Sequence, residues 1–367
     1  MMKINTRIIN YGKKNTVFRY FTVEIMYYIY LLKKRTKEIY ASCLKKYLSD
    51  GQLKDKKSVK TAIKGLICAK TYYGFTYDEY FLFGLYKIDE IKWHEYVGGY
   101  ERMRVAFKTA TEQQREIYIN KSNTYKIYKE YYKRDLLKIG NEKDYDSFNE
   151  FVHKHPKFIA KPLKSSCGNS VRIIDLSGSN EDKKKIFESL CMDKGSVCEE
   201  LIYQTKEMSD FHSNSVNTVR VVTFYDNNKL TKMFATLRMG LGNSIVDNSS
   251  SGGLAATVDI NSGQVITEGT LCHDCLPVRY SVHPQSNATI LGAYIPKWSE
   301  LMDLIDELVK VNPQQKLIGW DMALTDNGWV IIEANSVPTF CPVQVCNESG
   351  IRTLFEQTLG KYRINAE

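Results

Sequence analysis

Gly319-Trp320-Asp321-Met322-Ala323-Leu324-Thr325-Asp326-Asn327-Gly328-Trp329-Val330-Ile331-Ile332-Glu333-Ala334-Asn335 is two apolar runs around a polar turn, the pattern of a β-hairpin. Read as a three-residue loop with Gly328 left-handed, Asp326-Asn327-Gly328 pairs Thr325 with Trp329 and, counting back, Asp321 with Glu333. Directly opposed residues share a face, with Cβ atoms about 4.5–5.5 Å apart, and Asn335, two residues further on, points the same way. A two-residue loop would instead put Asp321 and Glu333 on opposite faces, as ordinary surface acids. Like charges opposed among apolar neighbours destabilise a sheet unless something positive sits between them. Three oxygen-bearing side chains on one face suit a hard cation such as Mg²⁺.

Working outward, short β-rich runs fill the chain from Lys157 on: Phe158–Pro162, Val171–Asp175, Val197–Ile202, Thr218–Tyr225, Leu230–Met239, Leu254–Ile260, Gln264–Glu268, Leu317–Leu324 and Trp329–Ala334. Asp226-Asn227-Asn228 and Asn261-Ser262-Gly263 are further hairpin turns. Helices are expected at Glu181–Leu190, Lys297–Val311 and Gly350–Leu359. From Thr16 to about Lys138 apolar and aromatic residues recur at helical spacing, broken by Tyr72-Tyr73-Gly74-Phe75 and Val97-Gly98-Gly99. Hairpins with interspersed helices make an α+β protein, not a doubly wound parallel sheet.

The chain has 367 residues, 43% hydrophobic and 25% charged, ordinary for a globular protein, and long enough for two or three domains. Its net charge of +9 is uneven. Residues 1–160 hold 32 Lys/Arg against 18 Asp/Glu, a balance of +14, and the remainder 19 against 24, a balance of −5. A basic N-terminal part suits solvated helix faces, an acidic membrane surface or a phosphorylated substrate. No nucleic-acid fold signature accompanies it, so neither RNA nor DNA is an expected partner. Thr16 to Leu32 contains Arg19 and Glu24 and falls short of a membrane span; it reads as a buried amphipathic helix. Nine scattered cysteines and no signal peptide imply a reduced, cytoplasmic compartment. Cys272-His273-Asp274-Cys275, a lone C-x-x-C, is weak as a zinc or redox site, and His212 reads as a satisfied structural histidine.

Lys161 ends the apolar run Phe158-Ile159-Ala160, and a lysine on a buried strand needs an anionic partner. The segment Lys164-Ser165-Ser166-Cys167-Gly168-Asn169-Ser170 can offer backbone and hydroxyl donors to phosphates, although such a loop more often simply turns the chain. Arg220 and Arg238 interrupt apolar strands. They suit charged oxygens in a transition state or cross-strand salt bridges. Val246 to Gly253 is a polar loop able to close over a reacting group.

In order, these pieces resemble the ATP-grasp superfamily: Asn120-Lys121 opening a helix, Lys161 with its small-residue loop, Cys198-Glu199-Glu200-Leu201-Ile202, Arg220, Arg238, Asn248 with Gly252-Gly253, Trp320-Asp321, and Glu333-Ala334-Asn335-Ser336-Val337-Pro338. The stretch from Arg220 to Pro338 resembles ribosomal-protein glutamate ligases. Ser215–Thr223, Val246–Gly253, Tyr86-Lys87-Ile88-Asp89 and Trp93-His94-Glu95-Tyr96 are closer to the sugar-transfer-associated ATP-grasp family. The resemblance covers roughly residues 70–360, with a single Gly168 where glycine-rich loops are common.

The resemblance implies two α+β lobes clasping ATP behind a mainly helical N-terminal region: 1–115 helical, 116–205 the small lobe, 206–367 the catalytic lobe. Lys121 and Lys161 would hold phosphates under the loop of Lys164, Ser165, Ser166 and Gly168. Glu199, Glu200, Leu201 and Ile202 would meet the adenine and Glu207 the ribose. Asp321, Glu333 and Asn335 would hold one or two Mg²⁺ ions, with Arg220, Arg238 and Asn248 at the γ-phosphate and acyl-phosphate. The implied activity is ATP-dependent ligation of a carboxylate to an amine, such as an amino acid to an amino sugar or nucleotide-sugar during surface-polysaccharide building. The alternative is a kinase that stops at phosphoryl transfer. No transmembrane segment is expected, and peripheral membrane contact is left open.

Overall fold

The computed structural model describes residues 6–164, 171–178, 183–192, 195–247, 251–273 and 275–363. Four expected site residues, Ser165, Ser166, Gly168 and Asn248, lie outside them, as does Asp274 of the C-x-x-C. The chain forms two compact units, one of 1–105, 272–278 and 339–367, the other of 106–271 and 279–338.

The first unit is helical: α1 (Thr6–Lys14), α2 (Thr16–Leu32), α3 (Lys34–Tyr47), α4 (Asp50–Lys54), α5 (Lys56–Cys68) and α6 (Tyr77–Leu82), then α7 (Gly99–Thr109) and C-terminal helices Cys341–Asn347 and Arg352–Arg363. The expected breaks are where the backbone needs them. Gly74 takes φ +74°, and a Cβ on Gly98 would lie 2.4 Å from the Gly74 carbonyl oxygen. Buried Glu79 accepts from the N–H groups of Thr76 and Gly99, tying two helix starts together. Tyr40, Leu44, Leu66, Tyr72 and Phe75 centre the core. One expectation fails here. Thr16–Leu32 is a helix, but it buries only Arg19 and Val23. Its apolar residues run all round, and this core is wide enough for one side of it.

The second unit carries α8 (Glu112–Ile119), α9 (Lys121–Tyr132), α10 (Tyr145–Lys154), α11 (Lys183–Cys191), α12 (Lys206–Ser209) and α13 (Trp298–Val311) around two antiparallel sheets. The smaller has the order β1-β4-β2-β3, from β1 (Leu136–Ile139), β2 (Lys157–Pro162), β3 (Arg172–Asp175) and β4 (Ser196–Glu200). The larger contains β5 (Thr218–Asp226), β6 (Lys229–Met239), β7 (Leu254–Val258), β8 (Gly269–Leu271), β9 (Val278–Tyr280), β10 (Leu317–Thr325) and β11 (Gly328–Asn335), in the order β11-β10-β5-β6-β7-β8-β9. Gln264–Glu268, expected as a strand, makes only isolated bridges at Gln264 and Val265. The core under the larger sheet gathers Tyr128, Leu301, Ile305, Trp320 and Met322, with Tyr128 edge-on to Trp320.

The hairpin turn also differs from expectation. Thr325 pairs with Gly328 and Leu324 with Trp329, so the loop has two residues, not three. A β-bulge then inserts Ile332 between the pairs Met322–Ile331 and Asp321–Glu333. The bulge supplies the one-residue offset assigned to the turn, and Asp321 faces Glu333 after all.

Candidate functional site

Strand register builds the site. Glu333, Asp321, Arg220 and Thr236 stand opposite one another across β11, β10, β5 and β6, and Arg238, opposite Thr218, stands two residues from Thr236 on the same face. The Asp321 carboxylate is gripped from two sides. Arg220 donates Nε and Nη2 to Oδ1 and Oδ2, each at 2.6 Å, and Arg238 donates Nη1 to Oδ2 at 2.8 Å. Burial would raise the Asp321 pKa, but the two guanidiniums outweigh it and hold the group below the usual carboxylate range. Both arginines therefore make cross-strand salt bridges, and to the very acid expected to bind metal. Arg238 also faces Asp247 at 3.4 Å. Burial alone would lower the Arg238 pKa, yet Asp247 and Asp321 raise it above that of an ordinary arginine.

The other wall comes from β2, β4 and the start of α9. Asn120 caps α9 by accepting from Ser122 N–H, which sets Lys121 as the first helical residue, as expected. Lys121 Nζ lies 4.0 Å from Glu333 Oε1. Burial lowers its pKa, with Glu333 opposing. Glu333 is raised, first by burial and further by Asp321, with Lys121 only partly offsetting. Lys161 has the anionic partner that its buried strand demanded: its Nζ donates to Glu199 Oε2 at 3.1 Å. Glu199 also accepts from Arg134 Nε and Nη2 at 3.2 and 2.8 Å. Burial pushes Glu199 up, but Lys161 and Arg134 prevail and hold it at about 2.

These side chains enclose a cavity of about 110 Å³ lined by Lys121, Arg134, Lys161, Glu199, Arg238, Asp247, Asp321 and Glu333, with an apolar side of Ile159, Val171, Ile202 and Ile332. Of the expected residues, Lys121, Lys161, Glu199, Glu200, Ile202, Arg238, Asp321 and Glu333 line it, and Arg220 reaches it through Asp321. Leu201 is half-buried outside the lining, and Glu207 is exposed on α12, away from it. Lys164 points to an exposed pair with Glu116 at 3.0 Å. Glu199 sits inside the β4 ladder, opposite Leu136 and Ile159, so its side chain rather than its backbone serves the cavity.

Arg134 and Asp247 escaped the sequence reading. The signal for Arg134 was a charge held between a helix and the apolar run Leu136-Leu137. For Asp247 it was the donor-rich Arg238 on a buried strand, which one acid does not saturate. Gly253 packs where a Cβ would lie 2.4 Å from the Asp247 carbonyl oxygen and 2.8 Å from that of Met239, the last residue of β6. His212 is satisfied by Ser215 Oγ and the Gly242 carbonyl at 2.8 and 3.1 Å, as expected. Among the described cysteines, Cys43, Cys68, Cys191, Cys198 and Cys341 are thiols outside any disulfide. Among the described residues, one group gathers three metal-type ligands, Asp135, His155 and Glu200. There His155 and Lys154 already hold the Asp135 carboxylate.

The candidate acids fit a hard cation. Glu333 is a half-buried carboxylate with one cation 4.0 Å away; Asn335 could ligate only through its amide oxygen, while its Nδ2, a buried donor with no hydrogen-bond partner, suits a phosphate oxygen. A carboxylate offers about four lone-pair positions, of which Asp321 uses three on its arginines.

The sequence profile of the sugar-transfer-associated ATP-grasp family matches residues 102–359. No curated protein sequence matches the chain. Among solved structures the chain is similar to the ATP-grasp ligase PsnB complexed with a minimal precursor, at 12% identity over 68% of this chain and 61% of that one, with a TM-score of 0.40. It is also similar to D-alanyl-alanine synthetase A from Vibrio cholerae O1 biovar eltor, at 13% identity over 68% and 66%, with a TM-score of 0.39. N5-carboxyaminoimidazole synthetase from Staphylococcus aureus complexed with ADP follows at 11% identity over 62% and 46%, with a TM-score of 0.38. The chain thus spans less than two thirds of the PsnB and carboxyaminoimidazole synthetase chains. With well over half of its 367 residues under one family profile, the chain belongs to the sugar-transfer-associated ATP-grasp family.

Proposed function

We propose that the chain is an ATP-dependent carboxylate–amine ligase acting through an acyl-phosphate. The observation that carries the proposal is the row of Glu333, Asp321 and Arg220, with Arg238 beside it, on a cavity that Lys121 and Lys161 also line. Buried and half-buried cations and acids arranged around a phosphate-sized space suit a polyphosphate with a divalent cation. Mg²⁺ would be held by Glu333, Asn335 and the remaining lone pair of Asp321, and would supply neutralisation of phosphate charge. Lys121, its pKa lowered by burial, gains a counter-charge when a phosphate arrives. Lys161, steadied by Glu199, presents its ammonium to the same phosphates. Arg220 and Arg238, fixed by Asp321, direct their remaining N–H groups at charge developing on the acyl carbon's oxygens. Ile159, Val171 and Ile202 offer an apolar slot for the base, and β4 ends at Glu200, so base-edge recognition falls to the backbone of Ile202.

The lobes would be residues 116–205, with the smaller sheet, and 206–367, with the larger. The substrates would be an amino acid or other carboxylate and an amino sugar or nucleotide-sugar, in a reduced cytoplasm where surface polysaccharide is assembled. The family's sugar-transfer association supports this reading.

The test incubates the chain with Mg²⁺, ATP, single amino acids and amino-sugar nucleotides, following ADP, orthophosphate and product mass. An amide with released orthophosphate supports ligation; a stable phosphorylated product makes it a kinase. Asp321→Asn and Glu333→Gln should each lower turnover by about 10²-fold or more. Burial raises Glu333 above its usual pKa, so its ionised form costs stability at neutral pH, and Glu333→Gln should raise the thermal midpoint without metal. Near-normal Mg²⁺-dependent turnover in both variants removes the metal assignment.

A further inference from the structure

The N-terminal helices leave an apolar surface uncovered. α2 turns Arg19 and Val23 inward, and Met26, Tyr27 and Tyr30 pack on the same core. Its opposite face carries Val17 (80% exposed), Phe21 (64%), Tyr28 (56%) and Leu32 (84%), with Tyr20 (61%) at its flank. Steps of four and seven residues keep these side chains on one stripe, and at 1.5 Å per residue it runs about 22 Å. Solvent-facing apolar residues in such a line mark a surface that meets something.

Charge says what. Exposed Lys13 and Lys14 lie at one end of the stripe, and exposed Lys33, Lys34 and Arg35 at the other. Residues 6–40 contain eight Lys/Arg against two acids, Glu24 and Glu38. Glu24 shares the exposed face of α2, but Lys60 and Lys64 from α5 pair with it and mask its charge. We infer that α2 docks this chain on an anionic lipid bilayer, lying in the interface with its aromatic and aliphatic stripe among the acyl chains and its terminal lysines at the headgroups. α2 has 17 residues and turns a charged Arg19 inward, and no helix among the described residues is long and apolar enough to cross a membrane. Nucleic acid would leave the apolar centre without a role. A second copy packed antiparallel on the stripe would set Lys13 and Lys14 against Lys33 to Arg35, like charge against like.

The experiment co-sediments the full chain with vesicles of phosphatidylcholine, alone or mixed with phosphatidylglycerol, at low and high salt. The chain should partition onto the anionic vesicles alone, and salt should weaken it. At roughly fivefold per cation, Lys33→Gln/Lys34→Gln/Arg35→Gln should lose about a hundredfold. Phe21→Ser/Leu32→Ser should lose about tenfold or more, with an unchanged thermal midpoint because both sites are exposed. Equal binding to neutral vesicles, or none, overturns the inference. So does binding that the charge variant weakens and the apolar variant leaves intact, which describes a polyanion surface. Light scattering that shows Phe21→Ser/Leu32→Ser splitting a dimer, with sedimentation unaltered, assigns the stripe to a second copy. Should Phe21→Ser/Leu32→Ser fold poorly, Val17→Ser/Tyr28→Ser on the same exposed stripe supplies the apolar arm, and the same outcomes decide.

Discussion

Glu199 holds two cations on one buried carboxylate, and that arrangement sets how Lys161 is presented to the cavity. Removing one member of a buried charge cluster leaves the others uncompensated, at a cost of about 3–5 kcal/mol. Glu199→Ala should destabilise the fold by that order in denaturant unfolding, and Glu199→Gln by less. The pH dependence has a definite sign. The group sits at about 2 in the folded chain against 4.5 ordinarily, so its stabilisation is complete above 4.5 and is lost as pH falls toward 2. The stability gap between wild type and Glu199→Gln should therefore close across that window. A gap equally wide at both ends would show that Glu199 is not ionised in this role. Asp321 is the second such group, held down by Arg220 and Arg238. Sequence chemistry exposed the need at these positions, since a lysine on a buried strand requires an anion. It did not name the anion, because Lys161 and Glu199 meet only when β2 pairs with β4.

The β10–β11 hairpin shows how an element can reach the expected arrangement by an unexpected route. Trp329, Val330 and Ile331 are buried in succession, so β11 has no alternation to mark its register. The turn closes on two residues, and the bulge at Ile332 brings Glu333 opposite Asp321 while aiming Ile332 into the same cavity. The turn is thus uncoupled from the site. Inserting one glycine between Asp326 and Asn327 should leave turnover within about twofold, because surface loops absorb added residues at little cost. Inserting one between Ile331 and Ile332 should cost about 10²-fold, since a misplacement near 1 Å at the reacting groups is enough for that. Steady-state rates of the two insertions, compared at equal thermal stability, check this. A harmful turn insertion would mean that the loop, not the bulge, sets the register.

Taken whole, the chain has one unit built around a phosphate-sized cavity and another that bears an apolar and basic helix. Mg²⁺ with ATP at a hundredfold over its Kd should stabilise the native state by about 2.7 kcal/mol. By hydrogen exchange the protection should concentrate in β2, β4, β10 and β11. Protection confined to α1 and α2 would contradict the site. Most strand positions, the helix opened by Lys121, the Gly74 and Gly98 breaks and the identities of the charged groups were set by local sequence. Period-two alternation, capping chemistry and the cost of burying a lone charge act over a few residues. The partners of those charges, the entry of Arg134 and Asp247, the bulge at Ile332 and the exposure of α2 were decided only by tertiary structure. Each depends on which distant segment arrives alongside, and a run of apolar residues, in β11 as in α2, does not say which of its faces will be covered.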